Sequence, residues 1–312
     1  MSIFFISLPV RLRSLAPTMI LIFGISNAAG AEDTKHDFSL SGFAGVEYDS
    51  TVNVAAIDEA TDIGDFAGVF GANLKYEGRF DQKNKVSASY IFRQSTLFEL
   101  TEFNLQLHGT DVTYTRKAGK LSFGATHQFF LSRLGGDDLL NINRISPFLT
   151  FVPTKKLFLR GAYIYKDKNL IELNDRDAQT HAAELLSFFF LDGTHTYLTG
   201  AYRYENEDAR ADEFDFEAHI ARVELDTRLP FGGDKNRLEI DLEYEDRDYA
   251  AFSPTIEEVR DDERLSLDVS WEVPLTKYFN VTGTYTFRDF SSNFPGADFT
   301  ENVFRLTLGF EF

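Results

Sequence analysis

The sequence has no cysteine. Disulfides, thiolate metal sites and cysteine nucleophiles are excluded together. Positive charge is scarce: 31 Lys and Arg stand against 49 Asp and Glu, giving a formal net charge of −18. Phosphate contacts need clustered Lys and Arg, so nucleic acid is a poor partner. Long apolar runs are missing too. No stretch after Ala31 reaches the roughly 20 apolar residues that a membrane-spanning helix needs. Tryptophan occurs once, yet Phe occurs 32 times and Tyr 13 times. A hydrophobic content of 43% is low for a helical membrane protein. It suffices for a β-barrel, where only alternate residues of a spanning strand face lipid.

Residues 1–31 have the pattern of a targeting signal. Arg11 and Arg13 form a positive n-region, Thr18 to Ile25 a short apolar stretch, and Ala29-Gly30-Ala31 a small-residue cleavage pattern. The segment contains no acid, so its removal makes the chain more acidic still. Residues 1–31 are therefore assigned as signal peptide, and 32–312 as one barrel domain.

Beyond Phe38, two-residue alternation recurs almost to the C-terminus. Leu238, Ile240, Leu242 and Tyr244 alternate with Glu239, Asp241 and Glu243, and a strand sends these sets to opposite faces. Phe279, Val281, Gly283, Tyr285 and Phe287 alternate with Asn280, Thr282, Thr284, Thr286 and Arg288. The last strand sets Phe304, Leu306, Leu308, Phe310 and Phe312 against Arg305, Thr307, Gly309 and Glu311. About fourteen segments follow this rule, with spans near 38–48, 66–77, 85–95, 103–116, 120–130, 140–152, 156–167, 180–191, 195–205, 215–229, 236–247, 263–273, 278–289 and 300–312. Alternation is weak near 103–116, 140–152 and 180–191, so twelve or sixteen strands stay open. A change of apolar parity near Ile220 predicts a β-bulge there. The fold class predicted is all-β: a closed antiparallel transmembrane barrel. Closure follows because an open edge would leave unpaired backbone groups in lipid. A soluble all-β sandwich is the rival; the long strands and the aromatic residues near their ends count against it.

The connectors alternate in kind. Asp81–Asn84, Lys117–Gly119, Pro153–Lys155, Asp192–Thr194, Pro230–Lys235 and Pro274–Lys277 are short and rich in turn formers. The intervening connectors are mostly longer and acidic. Asp49 to Asp65 holds five acids and no Lys or Arg, Glu205 to Asp215 six acids, and Asp246 to Glu263 seven. Outer-membrane barrels show this asymmetry, with long loops outside, which puts both termini on the periplasmic side. Leu131 to Leu140 is the segment considered for folding inward as a plug.

The terminal Phe312 after alternating apolar residues resembles the C-terminal signature read by the barrel assembly machinery of Gram-negative bacteria. A second resemblance rests on Tyr244-Glu245-Asp246-Arg247-Asp248-Tyr249, Arg260-Asp261-Asp262-Glu263-Arg264, Pro274-Leu275-Thr276, Tyr285 to Asp289, Ser292-Asn293, Pro295-Gly296 and Asp298-Phe299. Over roughly the last hundred residues the chain resembles porin-like barrels of unassigned function. It is also similar to the barrel ends of surface-lipoprotein assembly modifiers. Those modifiers usually place a helical repeat domain ahead of the barrel, and the residues before Phe38 are too few for one.

If apolar residues face lipid, the residues between them face a lumen. Glu239, Asp241, Glu243, Asp268 and Glu272 then form an acidic patch, and Arg160, Arg203, Arg222, Arg264, Arg288 and Arg305 are lumen bases. Charged rings set ion preference in pores, so a channel for small solutes or ions with cation preference is expected. The alternatives are a barrel sealed by its own ion pairs and an export or assembly barrel with a partner. Catalysis is not expected. His36, His108, His127, His181, His195 and His219 have no G-x-S-x-G or comparable nucleophile motif to serve. Asn174-Asp175-Arg176-Asp177 lacks the glycine and distal glutamate of an EF-hand loop. No metal and no cofactor is predicted. The implied surroundings are outer-membrane lipid and lipopolysaccharide.

Overall fold

A computed structural model describes residues 35–229 and 236–312. The signal-peptide assignment and the Pro230–Lys235 connector lie outside the described residues.

Fourteen strands close into one antiparallel barrel. They are β1 (Lys35–Asp49), β4 (Asp65–Arg79), β5 (Asn84–Leu97), β6 (Leu105–Ala118), β7 (Leu121–Leu134), β8 (Asp137–Thr154), β9 (Leu157–Leu170), β10 (Ala178–Asp192), β11 (Thr196–Ala209), β12 (Phe216–Arg228), β13 (Arg237–Ser253), β14 (Glu258–Pro274), β15 (Phe279–Ser292) and β16 (Phe299–Glu311). Two further strands, β2 (Asn53–Val54) and β3 (Glu59–Ala60), pair with each other inside the first loop. Every strand anticipated from alternation is present. The shortest barrel strands have 13 residues and the longest 18, more than the roughly 9–11 that a tilted spanning strand needs. The barrel therefore projects beyond the hydrocarbon layer.

The seam joins the ends of the chain. Ser41 to Asp49 of β1 pair with Glu311 to Val303 of β16, and Phe312 and Leu40 exchange backbone hydrogen bonds at 2.9 and 3.1 Å. No strand edge in the barrel is left open. Among the described residues no helix is long and apolar enough to cross a membrane.

Alternation fixes the two faces. Phe38, Val46, Phe66, Leu74, Phe123, Leu149, Leu185, Val223, Trp271 and Leu306 are among the large apolar side chains exposed on the outside. In water such a band would be an aggregation hazard; in lipid it is the favoured surface. The polar sets point inward.

Three expectations are corrected. No bulge occurs near Ile220: β12 pairs with β13 without a register break from Phe216 to Arg228. The parity changes because Phe216, Ala218 and Ile220 are apolar residues facing inward, where they pack with Tyr249. The acidic stretch from Asp246 to Glu263 is mostly strand, and β13 and β14 extend as a hairpin that bulges between Asp248 and Phe252. Leu131 to Leu140 does not fold inward as a plug. It is the end of the β7–β8 hairpin, turning at Gly135 and Gly136, whose positive φ angles of 61° and 105° suit glycine.

Candidate functional site: the charged lumen and its loop-covered mouth

The segment that folds inward is the first loop, 50–64. Val52 and Val54 are 0% and 1% exposed. They pack with Leu97, Phe103, Leu139, Leu140, Ile142 and Leu170, residues at the long-loop ends of β5, β8 and β9 and in the connector 98–104. Ala55 packs with Phe290 and Phe299 on the other side of the mouth. The loop thus bridges walls of the barrel that are remote in sequence. Fully burying each valine contributes about 1.5–3 kcal/mol.

Polar groups fix the tip. Asp58, in the turn between β2 and β3, receives a fork from Arg260 of β14: Nη1 to Oδ2 at 2.8 Å and Nη2 to Oδ1 at 2.9 Å. Arg176, in the β9–β10 connector, donates to the same carboxylate at 2.7 Å. Burial opposes ionisation of Asp58, but the hydrogen bonds and charges of Arg260 and Arg176 outweigh it and hold its pKa below the ordinary value. Arg260 is itself held by Asp262 and flanked by the Tyr249 and Phe294 rings, each 4.8 Å away. Asp58 has φ 53°, a conformation Asp tolerates. Gly296 passes under it: a Cβ there would lie 2.1 Å from the Asp58 carbonyl oxygen. Nearby, Asn53 Nδ2 donates to Glu301 Oε1 at 2.8 Å. The Asn174–Asp177 run compared above with an EF-hand loop opens as a 3-10 turn over Asn174–Arg176, with Arg176 on Asp58 and Asp177 accepting from the Leu170 amide at 2.8 Å.

Below the loop, strand register brings the anticipated lumen residues together. Asp241 and Asp268 stand directly opposed on β13 and β14, a like-charge pair that is destabilising alone. Arg222 relieves it with Nε 2.8 Å from both Asp241 oxygens, and Asp268 accepts from Thr286. Glu239 lies 3.9 Å from Arg237, which also grips Asp226. Glu243 is opposite Arg222 and Ser266, and Glu272 opposite Arg237. The five acids thus stand on the neighbouring strands β13 and β14, interleaved with arginines.

The six anticipated bases all face inward. Arg203 pairs with Glu205 at 2.7 Å, Arg264 with Asp262 at 2.8 Å, and Arg305 donates to Glu47 across the seam at 2.5 Å. Arg288 pairs with Glu301. Arg160 lies over the Phe148 ring, 4.1 Å from its centroid. Sequence reasoning missed Arg144, Lys166, Lys168, Glu184, Glu207, Arg237, Glu245 and Arg247 on this face. Parity with Arg160, Arg203 and Glu243 on their own strands was the available signal for Lys166, Lys168, Glu207, Arg237, Glu245 and Arg247; Arg144 on β8 and Glu184 on β10 lie where alternation is weak. Carboxylate oxygens of Glu224, Asp226 and Glu239 come within 4.8 Å of one another, with Arg222 and Arg237 already paired to Glu224 and Asp226.

The histidines do not gather. His108, His181 and His219 lie on the outer face, each with Nδ1 within 2.7, 2.5 and 2.6 Å of the hydroxyls of Tyr90, Tyr163 and Tyr202. Each occupies the fourth position of its strand, toward the long-loop end, as part of an aromatic belt.

No protein-family model and no curated protein matches the chain in sequence. Solved structures do match in fold. An anion-selective porin from Comamonas acidovorans aligns with a TM-score of 0.52 at 8% identity, covering 90% of this chain and 100% of that one. Outer-membrane-expressed OmpT of Vibrio cholerae gives 0.52 at 9%, covering 91% and 99%. Salmonella typhi OmpF, in complex with daunomycin, gives 0.52 at 10%, covering 89% and 98%. The chain has the closed antiparallel barrel fold of outer-membrane porins.

Proposed function

We propose that the chain is an outer-membrane, porin-like channel for passive diffusion of small solutes or ions, with a preference for cations and no enzymatic activity. The observation that carries this is a closed barrel with an apolar outer band and an inner face lined by charged groups along its length. The kinship in fold to porins supports the same reading. The acidic wall of Glu239, Asp241, Glu243, Asp268 and Glu272 and the acid-rich loops support cation preference. The loop-bearing end is the extracellular one in this reading, so both termini are periplasmic. Lipid and lipopolysaccharide surround the band, and the assembly machinery reads Phe312.

A second reading, a barrel that conducts nothing or exports with a partner, is favoured by one observation. The half of the lumen nearest the loops is densely filled: Glu47, Asp262 and Glu301 are at most 1% exposed. Planar-bilayer recording of the refolded chain without residues 1–31 separates the two. Stable steps with a cation-to-anion permeability ratio above one support the channel. A folded, inserted barrel without steps supports the sealed or partnered barrel.

A further inference from the structure

Most lumen cations have a carboxylate partner within ion-pair distance; Arg144 and Arg160 have none among the described residues. Arg144, on β8, is 8% exposed, and its Nε has no hydrogen-bond partner. Arg160, on the adjacent β9, has an equally orphaned, buried Nε. The nearest acids of Arg160, Glu184 and Asp111, act on it through their charge alone, and their closer contacts lie elsewhere. Lys166, opposite Arg144, lies 3.7 and 3.4 Å from Glu205 and Glu207. Glu184 is 3.7 Å from Arg203, and Asp111 accepts the Thr113 hydroxyl at 3.2 Å. A desolvated guanidinium edge without an acceptor is costly, and an incoming anion would relieve it.

The surroundings are shaped for such an anion. Arg144, Ser146 and Phe148 alternate along β8, so all three present to the lumen. Ser146 is 4% exposed and its Oγ also lacks a partner. Phe148 supports the Arg160 guanidinium from its face at 4.1 Å. That contact occupies one face of the guanidinium and leaves its Nε edge without a partner, the edge that matches a carboxylate. Across the β8–β9 ladder Arg144 stands opposite Lys166 and Arg160 opposite Thr150, with Ser146 and Phe148 between them on the same face, so a ligand with an acid at each end is the shape that would engage both.

We infer that Arg144, Arg160 and Ser146 form a lumen subsite for a small organic acid, with a dicarboxylate the best match because two guanidinium Nε edges lack a partner. The subsite depends on the channel reading only for the route by which solute reaches it, and it sits on the wall of β8 and β9, away from the acidic wall of β13 and β14.

The test uses the refolded chain in detergent, with arginine Nε–Hε signals followed by nitrogen-15 NMR during titration with succinate, and inorganic phosphate and tetraethylammonium as comparison probes. Two Nε signals are expected to move saturably with succinate and not with tetraethylammonium. Arg144→Gln and Arg160→Gln should each weaken succinate binding about tenfold or more, as loss of a charge-assisted hydrogen-bond pair does. Arg160→Lys, which keeps the charge and loses the fork, should fall between. Heat-dependent electrophoretic mobility reports that each variant is folded, and the wild-type titration decides the matter if one is not. No moving Nε signal, tighter phosphate than succinate binding, or equal binding by a folded double variant overturns the inference. Conductance is recorded separately. Succinate binding without conductance refutes the channel and keeps the subsite; conductance without binding does the reverse.

Discussion

Replacing Asp58 by Ala tests whether the first loop is latched to the barrel wall. The substitution removes two hydrogen bonds from Arg260 and one from Arg176. Removing one partner from a buried ion pair costs about 3–5 kcal/mol. Here the lower figure applies, since Arg260 keeps Asp262 and its two aromatic neighbours. At 1.4 kcal/mol per decade, about 3 kcal/mol is roughly a hundredfold rise in the opening constant of the loop. The buried valines still hold the loop closed most of the time. Hydrogen exchange in detergent reads this directly, because the Val52, Ile57 and Thr61 amides are bonded within the loop at 3.1, 3.0 and 2.8 Å. Their exchange should accelerate about a hundredfold, while amides in the β10–β11 ladder stay as they were. Unchanged exchange in a folded Asp58→Ala barrel refutes the latch.

Other substitutions probe the same reasoning from different sides. The Asp58 pKa is depressed in the folded protein, so its contribution is present above the ordinary value of 3.8 and is lost only as pH falls through the lowered one; loop exchange should show no Asp58-dependent step between pH 7 and 5, and one there counts against the ion pair. Gly296→Ala places a Cβ against the Asp58 carbonyl and should speed loop exchange while leaving the β15–β16 ladder protected, which the same experiment checks. Glu239→Gln, Asp241→Asn and Glu243→Gln together should lower the cation-to-anion permeability ratio in bilayers; an unchanged ratio removes the acidic wall from the selectivity argument. Phe312→Ala should reduce the amount of barrel assembled in cells while refolding into detergent stays near wild type, and equal losses in both would mean a role in stability alone.

The strands were legible because lipid imposes apolar residues on one face at a period of two, and that constraint repeats around the whole barrel. Legibility failed where the lumen side is apolar as well. Leu140, Ile142, Leu186, Phe188 and Ile220 are buried on the inner face, under the loop or in small clusters. They erase the contrast that marks β8 and β10 and mimic a bulge in β12. The lumen charges were legible by parity, whereas their pairing was not, since pairing depends on register between strands. The loop was the largest omission. Its composition shows acids without bases, which has the pattern of a solvated stretch. The bases that neutralise Asp58 lie 118 and 202 residues further along the chain.

Those separations also fix an order of events. Arg176 belongs to the β9–β10 connector and Arg260 to β14, and Glu301, which anchors Asn53, belongs to β16. These groups converge on one mouth only when the sheet has curled and β1 has met β16. Before closure the loop has nowhere to bury Val52 and Val54, and its acids are better solvated in water. Docking of the loop therefore requires barrel closure, and by linkage its net free energy stabilises the closed form. The two layers of the structure have different origins in the sequence: the wall in local alternation, the cover in a few long-range ion pairs. Substitutions in the cover should for that reason change access to the lumen while leaving the barrel itself intact.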